Sequence, residues 1–167
     1  PDPLLRQTAA WTAEALGQTG AAVVTGGRQM FPTVERILIL KSADIFSEVP
    51  DDQLVPLAAI VTEVEVRKGQ PVFEKGDSGT AMFVVVEGKV RVHDGERTLR
   101  ELGPREVFGE LSALDPEPRS ASVTAVEDTL LFRIDQEPLL ELLTGQPGMV
   151  RGVVRTLARL VRNRPGG

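Results

Sequence analysis

A carboxylate and an arginine, Glu110 and Arg119, stand near the two ends of FGELSALDPEPRSASV, residues 108–123. Arginine carries a permanent charge and a planar fork of donors that fits phosphate oxygens. Glutamate only accepts hydrogen bonds, so Glu110 cannot hold a phosphate, but it suits a sugar hydroxyl. Gly109 has no Cβ and lets the backbone come close to a bound group. A short helical turn starting there points free N–H groups outward, and such a turn end attracts phosphate. One acceptor for a ribose, one arginine for a phosphate and N–H groups between them describe a site for a sugar phosphate.

Strands must position that segment. From residue 62 the hydrophobic period is two: in VTEVEVRKG, Val61, Val64 and Val66 stand against Thr62, Glu63, Glu65 and Arg67. QPVFEKG, AMFVVVEG, KVRVHDG, RTLRELG, FGELSAL, SASVTAV and DTLLFRI follow, punctuated by Gly69, Gly76, Gly79, Gly88, Gly95 and Gly103. Asp94-Gly95 marks a hairpin. About eight short strands at this spacing predict an antiparallel jelly-roll barrel. Helical patterns flank it. Residues 32–48 carry a stripe of Val34, Ile37, Leu38, Leu40 and Ile45, and 51–61 open with Asp51 and Asp52, whose charges suit a helix N-terminus. After the strands come 136–143 and 149–163. The expected fold is mainly β with flanking α, the helices packing on one side or end of the sheet.

Composition narrows the function. The 167 residues carry a net charge of −5 and 41% hydrophobic content, enough for one core of ordinary size. No basic cluster offers a grip on nucleic acid. The chain has no cysteine, which excludes disulfides, structural zinc and thiol catalysis. The apolar runs at 37–40 and 82–86 fall short of the ~20 residues that span a bilayer, and no signal peptide is visible. No nucleophile–base pair, metal spacing or G-x-x-x-x-G-K-(S/T) loop occurs, so no enzyme is expected. His93, the only histidine, reads as a solvent-exposed turn residue. Asp51, Asp52, Glu63 and Glu65 read as capping residues and solvated strand faces. Arg151, Arg155, Arg159 and Arg162 make a solvated face on the last helix. Opposite them, Val150, Val153, Val154, Leu157, Leu160 and Val161 can cover the barrel or a second copy of the chain.

The motif order resembles the cyclic nucleotide-binding domain family, of the cyclic AMP receptor and protein kinase A regulatory-subunit type. That family's phosphate-binding cassette runs F-G-E-(L/I)-(A/S)-x-L and then P-R-(S/T/A)-A. Here it is Phe108-Gly109-Glu110-Leu111-Ser112-Ala113-Leu114, then Pro118-Arg119-Ser120-Ala121. GQPVFEKGDSG at 69–79, FVVVEGKVRV at 83–92 and ASVTAVEDTLLFRI at 121–134 extend the likeness over about residues 34–163. The resemblance implies that Glu110 accepts from the ribose 2′-hydroxyl and Arg119 pairs with the cyclic phosphate. Backbone N–H groups near Leu111–Ala113 and at Ser120-Ala121 complete the cradle, the Ser120 hydroxyl can reach phosphate or base, and the helix at 149–163 covers the base. The implied ligand is cyclic AMP or cyclic GMP, with cyclic AMP favoured. Thr80 departs from the family's aspartate after the G-D-x-G turn, in a turn expected to lie outside the pocket.

Residues 2–17, DPLLRQTAAWTAEALG, resemble the second half of a HEAT repeat, the stump of an array upstream in a longer chain. The expected organisation is this helix at 1–17, a linker at 18–31, the nucleotide-binding domain at 32–163 and a tail at 164–167. The implied partners are a cyclic nucleotide and an upstream helical-repeat or effector domain of the same chain. A homodimer through 149–163 is a further expectation. Nucleic-acid binding by this chain alone is not, because too few residues follow the last helix for a helix-turn-helix. The expected location is the cytoplasm or the cytoplasmic face of a membrane protein. Two alternatives stay open: a ligand-free relic acting as a scaffold, and the sensor half of a transcription regulator.

Overall fold

The structure is a computed structural model that describes residues 23–24, 31–109 and 118–162. Its strands are β1 (Val23–Val24), β2 (Thr62–Val66), β3 (Pro71–Phe73), β4 (Ala81–Glu87), β5 (Val90–Asp94), β6 (Arg97–Leu102), β7 (Val107–Phe108), β8 (Ser122–Ala125) and β9 (Thr129–Asp135). Its helices are α1 (Thr33–Ser42), α2 (Asp51–Ile60), α3 (Gln136–Gly145) and α4 (Pro147–Arg162). The strands form two antiparallel sheets, in the orders β1-β2-β9-β4-β7 and β3-β8-β5-β6. This is the expected jelly-roll class, helices before and after the strands included. The helix expected at 1–17 lies outside the described residues. Val23 and Val24, within the stretch expected to be a linker, pair with Glu65 and Val64 of β2.

Two apolar cores explain the sequence pattern. The inner faces of both sheets share Val64, Val66, Val72, Phe73, Ala81, Phe83, Val85, Val90, Leu102, Phe108, Val123, Ala125 and Leu131. The outer face of the first sheet packs Met82, Val84, Phe132 and Ile134 against Leu40, Phe46, Leu54, Leu57, Leu139, Met149 and Val153. β4 is therefore buried on both faces, and its sequence is a continuous apolar run instead of an alternating one; β9 shares this over Leu130–Phe132. Full burial of each large side chain contributes roughly 1.5–3 kcal/mol.

The helical cover corrects the reading of Glu63. Val64 and Val66 point inward, so Glu63 points outward, yet α1 lies over that face and Glu63 is buried. Its carboxylate meets the buried Arg36 guanidinium at 2.7 Å and accepts from the Phe31 N–H. Arg36 also donates to the carbonyls of Ala58 and Val61. A single ion pair thus ties α1, the end of α2 and the start of β2 together, where period-two alternation alone suggested solvent.

Three other expectations shift. The helical pattern over 32–48 breaks at Ala43, which is extended, before a 3-10 turn at Asp44–Phe46. Val34 and Leu38 of its supposed stripe are exposed while Leu40 is buried. His93 is half-buried, and both ring nitrogens have partners: Nδ1 with the Gly95 carbonyl at 2.7 Å and Nε2 with the Thr124 hydroxyl at 2.8 Å. On α4, Val153 is buried but Val150 and Val154 are exposed, while Arg155 and Arg159 reach Glu48. The side chains of Leu160 and Val161 lie outside the described residues.

Glu63→Ala leaves a buried guanidinium without its anion and should lower stability by about 3–5 kcal/mol. Replacing Arg36 and Glu63 together with Met and Leu should cost much less. Urea denaturation of the three proteins checks this; equal losses in the single and double variants would contradict it.

Candidate functional site

Arg119 is fixed by its backbone before its side chain acts. Its N–H donates to the Asp77 carbonyl at 2.9 Å, and its own carbonyl accepts from the Gly76 N–H at 2.8 Å. Pro118 forms a bridge with Ser78. The turn at 74–79 is shaped to receive these bonds. Gly76 has φ +91, a conformation that suits glycine. The Asp77 carboxylate accepts from the Glu74 N–H at 2.9 Å, closing the turn on itself.

The guanidinium then enters the barrel. Arg119 is only 4% exposed. Its Nη2 donates to the Ala81 carbonyl at 2.8 Å, and its carbon stands 4.1 Å from the centre of the Phe73 ring, within cation–π range. Nε and Nη1 find no hydrogen-bond partner among the described residues. Gly79 and Gly109 make room for the group. A Cβ at Gly79 would run into Arg119 Nε, and one at Gly109 would lie 2.8 Å from Nη1 and 3.0 Å from the Ala81 carbonyl. Gly109 also has φ +75. Both glycines are therefore required by sterics and not by turn formation alone.

Burial is expensive for an uncompensated charge. Burial first and the nearby Arg133 second push the Arg119 pKa down to about 10, against the opposing pull of Asp77. The guanidinium still stays protonated at neutral pH. Such a group attracts an anion that can use its remaining N–H donors.

The other expected site residues divide. Phe108 ends β7 inside the barrel, its ring 5.1 Å from Phe83 and 5.9 Å from Phe73. This aromatic cluster supports the ring beneath Arg119. Pro118 and Ser120 are exposed and Ala121 is half-buried, in the turn that leads into β8. Glu110, Leu111, Ser112 and Ala113 lie outside the described residues. Phe73, Gly79 and the Ala81 carbonyl surround Arg119 without having been singled out by sequence. The G-D-x-G turn, expected to lie outside the pocket, instead holds Arg119 through Asp77 and Gly79; Thr80, just beyond, accepts from the Gln136 N–H. The doubled glycine within three residues was the available signal.

The chain matches the family model for the cyclic nucleotide-binding domain over residues 63–146, half of its length. The chain belongs to that family. The cyclic AMP receptor protein of Thermus thermophilus is 46% identical to this cyclic nucleotide-binding domain over 100 residues, 57% of this chain and 46% of that protein. The CRP-like cAMP-activated global transcriptional regulator of Mycobacterium tuberculosis is 32% identical over 129 residues, 74% of this chain and 58% of that protein. The chain thus spans about half the length of these relatives. The N-terminal domain of a transcriptional regulator from Streptomyces coelicolor has the same fold, with a TM-score of 0.69 and 33% identity. That match covers 74% of this chain and 90% of that structure. Among the described residues of the domain, no cluster of three or more His, Asp or Glu side chains could hold a metal. No helix there is long and apolar enough to cross a membrane.

If the buried charge is there for an external anion, its one hydrogen bond to the described residues and its ring contact offset only part of the cost of burying it. Arg119→Met should therefore keep or raise Tm, since exchanging buried ionic groups for apolar ones of similar volume is often neutral or stabilising. Thermal unfolding without ligand tests this, and a fall of several degrees would assign Arg119 a structural role.

Proposed function

We propose that the chain is a non-enzymatic sensory module that binds a cyclic nucleoside monophosphate, cyclic AMP in preference to cyclic GMP. The observation that carries this is the Arg119 guanidinium, buried in the barrel with two nitrogens that have no partner among the described residues, in a chain that belongs to the cyclic nucleotide-binding family. Arg119 pairs with the cyclic phosphate, and Glu110 accepts from the ribose 2′-hydroxyl. Backbone N–H groups at Leu111, Ser112 and Ala113, and at Ser120 and Ala121, complete the cradle. The preference for cyclic AMP rests on the names of the relatives, one a cyclic AMP receptor protein and the other cAMP-activated.

Ligand binding is read out through the helices. Closing the cassette on the phosphate through Arg119 draws Leu111 inward, and α3 and α4 re-pack over the site to pass the change to an attached domain, upstream or downstream. The packing of α4 supports a two-position lid. Gly152 lets it approach so closely that a Cβ there would lie 2.8 Å from the Glu48 carbonyl, and Arg155 and Arg159 reach the Glu48 carboxylate at 4.0 and 3.4 Å. These exposed ion pairs are weak and can be exchanged for ligand-bound contacts. The ligand shifts the balance only by its differential affinity for the two arrangements. The exposed Val150 and Val154 offer α4 an apolar strip for a second copy of the chain.

Isothermal titration with cyclic AMP and cyclic GMP should give micromolar or tighter binding, stronger for cyclic AMP. Arg119→Ala should lose about 2–5 kcal/mol of it. No heat with either nucleotide would overturn the reading and leave a ligand-free scaffold. Affinity should also follow the charge of Arg119. The phosphate favours the protonated form, so binding should be flat through neutral pH and weaken as pH rises through about 10, the value in the free chain. Titrations between pH 7 and 11 would show this, and affinity unchanged at pH 11 would remove Arg119 from the contact.

A further inference from the structure

The wall of the barrel beside Arg119 carries a second guanidinium. On β9 the inner face is set by Leu131, so Arg133 and Asp135 fall on that same face by strict alternation. Across the sheet Arg133 stands opposite Phe83 and Asp135 opposite Ala81, both inner-face residues of β4. The Ala81 carbonyl is the one that takes the Arg119 Nη2. Arg133 therefore lies one diagonal step from the atom that anchors Arg119, about 7–8 Å along the sheet and within the reach of a long side chain. Arg133 is largely buried, 15% exposed in its side chain. Its Nε donates to Oδ1 of Asp135 at 2.8 Å, and its Nη2 forms an ion-pair contact with the same oxygen at 2.7 Å. One edge of its fork is thus spent on Asp135, and the outer edge has no hydrogen-bond partner among the described residues.

Two like charges so close on an apolar wall cost energy unless something is gained. The repulsion is felt at Arg119, where Arg133 is the second largest influence holding its pKa down. The Arg133–Asp135 pair is not needed to join elements, since both residues sit on one strand. A brace between neighbours i and i+2 adds little that the β2-β9-β4 ladders do not already supply.

We propose that Arg133 is a second cationic determinant for the ligand's phosphate, with Asp135 as its positioning and attenuating partner. This rests on the reading of the pocket as a cyclic-nucleotide site. Arg119 takes the phosphate from the Phe73 side, and Arg133 adds positive charge from the β9 wall. Asp135 holds the second guanidinium in place and cancels part of its field. The pocket is thereby tuned for an anionic phosphodiester, with a reserve of affinity that the removal of Asp135 would release.

The test is cyclic AMP titration of the wild-type chain, Arg133→Ala, Arg133→Lys and Asp135→Asn, at several salt concentrations, with Tm recorded for each. Arg133→Ala should bind about tenfold more weakly and show a shallower salt dependence. Arg133→Lys should recover part of both effects. Asp135→Asn should bind about two- to fivefold more tightly. A merely structural pair predicts that breaking it from either side weakens binding alike. Changes of the same sign in Arg133→Ala and Asp135→Asn, or no change in either while the wild type binds, would overturn the proposal and leave the nucleotide reading intact. A wild-type chain that binds no cyclic nucleotide removes both. If Arg133→Ala does not fold, the opposed effects of Arg133→Lys and Asp135→Asn decide.

Discussion

Everything in the barrel mouth turns on one charge that the fold does not fully satisfy. Among the described residues, the Arg119 guanidinium has one hydrogen bond, to the Ala81 carbonyl, and one ring face, that of Phe73. Two of its nitrogens are buried without a partner among the described residues. A fold normally avoids such a group or neutralises it. Here the neighbours are arranged to keep it: Gly79 and Gly109 leave the space it occupies, and Asp77 supplies a carbonyl to its N–H and a carboxylate that favours its charge. A buried guanidinium held in this way attracts an anion that can use its remaining N–H donors.

The rest of the architecture supplies rigidity around that charge. β4 carries the Ala81 carbonyl and pairs with β9 on one side and β7 on the other. It is buried by the barrel interior on one face and by the helices on the other. The two cores fix it like a plate between layers, so the carbonyl that anchors Arg119 has little freedom. The Arg36–Glu63 pair fastens the helical layer to β2, and α4 lies against the segment at Glu48–Val49 through Gly152. The site and the helices that would report on it are therefore mechanically continuous through the first sheet.

Much of this was legible in the sequence, for physical reasons. The punctuating glycines and the Asp-Gly hairpin gave away the strands, and the change of period gave away the helices. Arg119 stood out because an arginine in a Pro-Arg-Ser-Ala turn after a Gly-Glu pair has chemistry to do. Glu63 was misjudged because alternation tells inside from outside in a sheet but not whether a helix covers the outside. The stripe of Val34 and Leu38 failed because α1 ends at Ser42, and the short helix turns a different face to the sheet. Phe73, Gly79 and Arg133 escaped notice as neighbours of Arg119 because the contacts are long-range in sequence. The pairing of β3 with β8 and of β4 with β9, and the bridge from Ser78 to Pro118, bring them together.

The most direct measurement is nitrogen-15 NMR of the arginine side chains during addition of cyclic AMP. The Arg119 Nε–H signal is identified by its loss in Arg119→Lys. A group waiting for its anion should show this signal shifting strongly and its solvent exchange slowing as the nucleotide binds, because a free donor gains a charged acceptor. If the nucleotide saturates the protein while the Arg119 signal stays where it was, the buried guanidinium is not the phosphate partner and the site must be sought elsewhere.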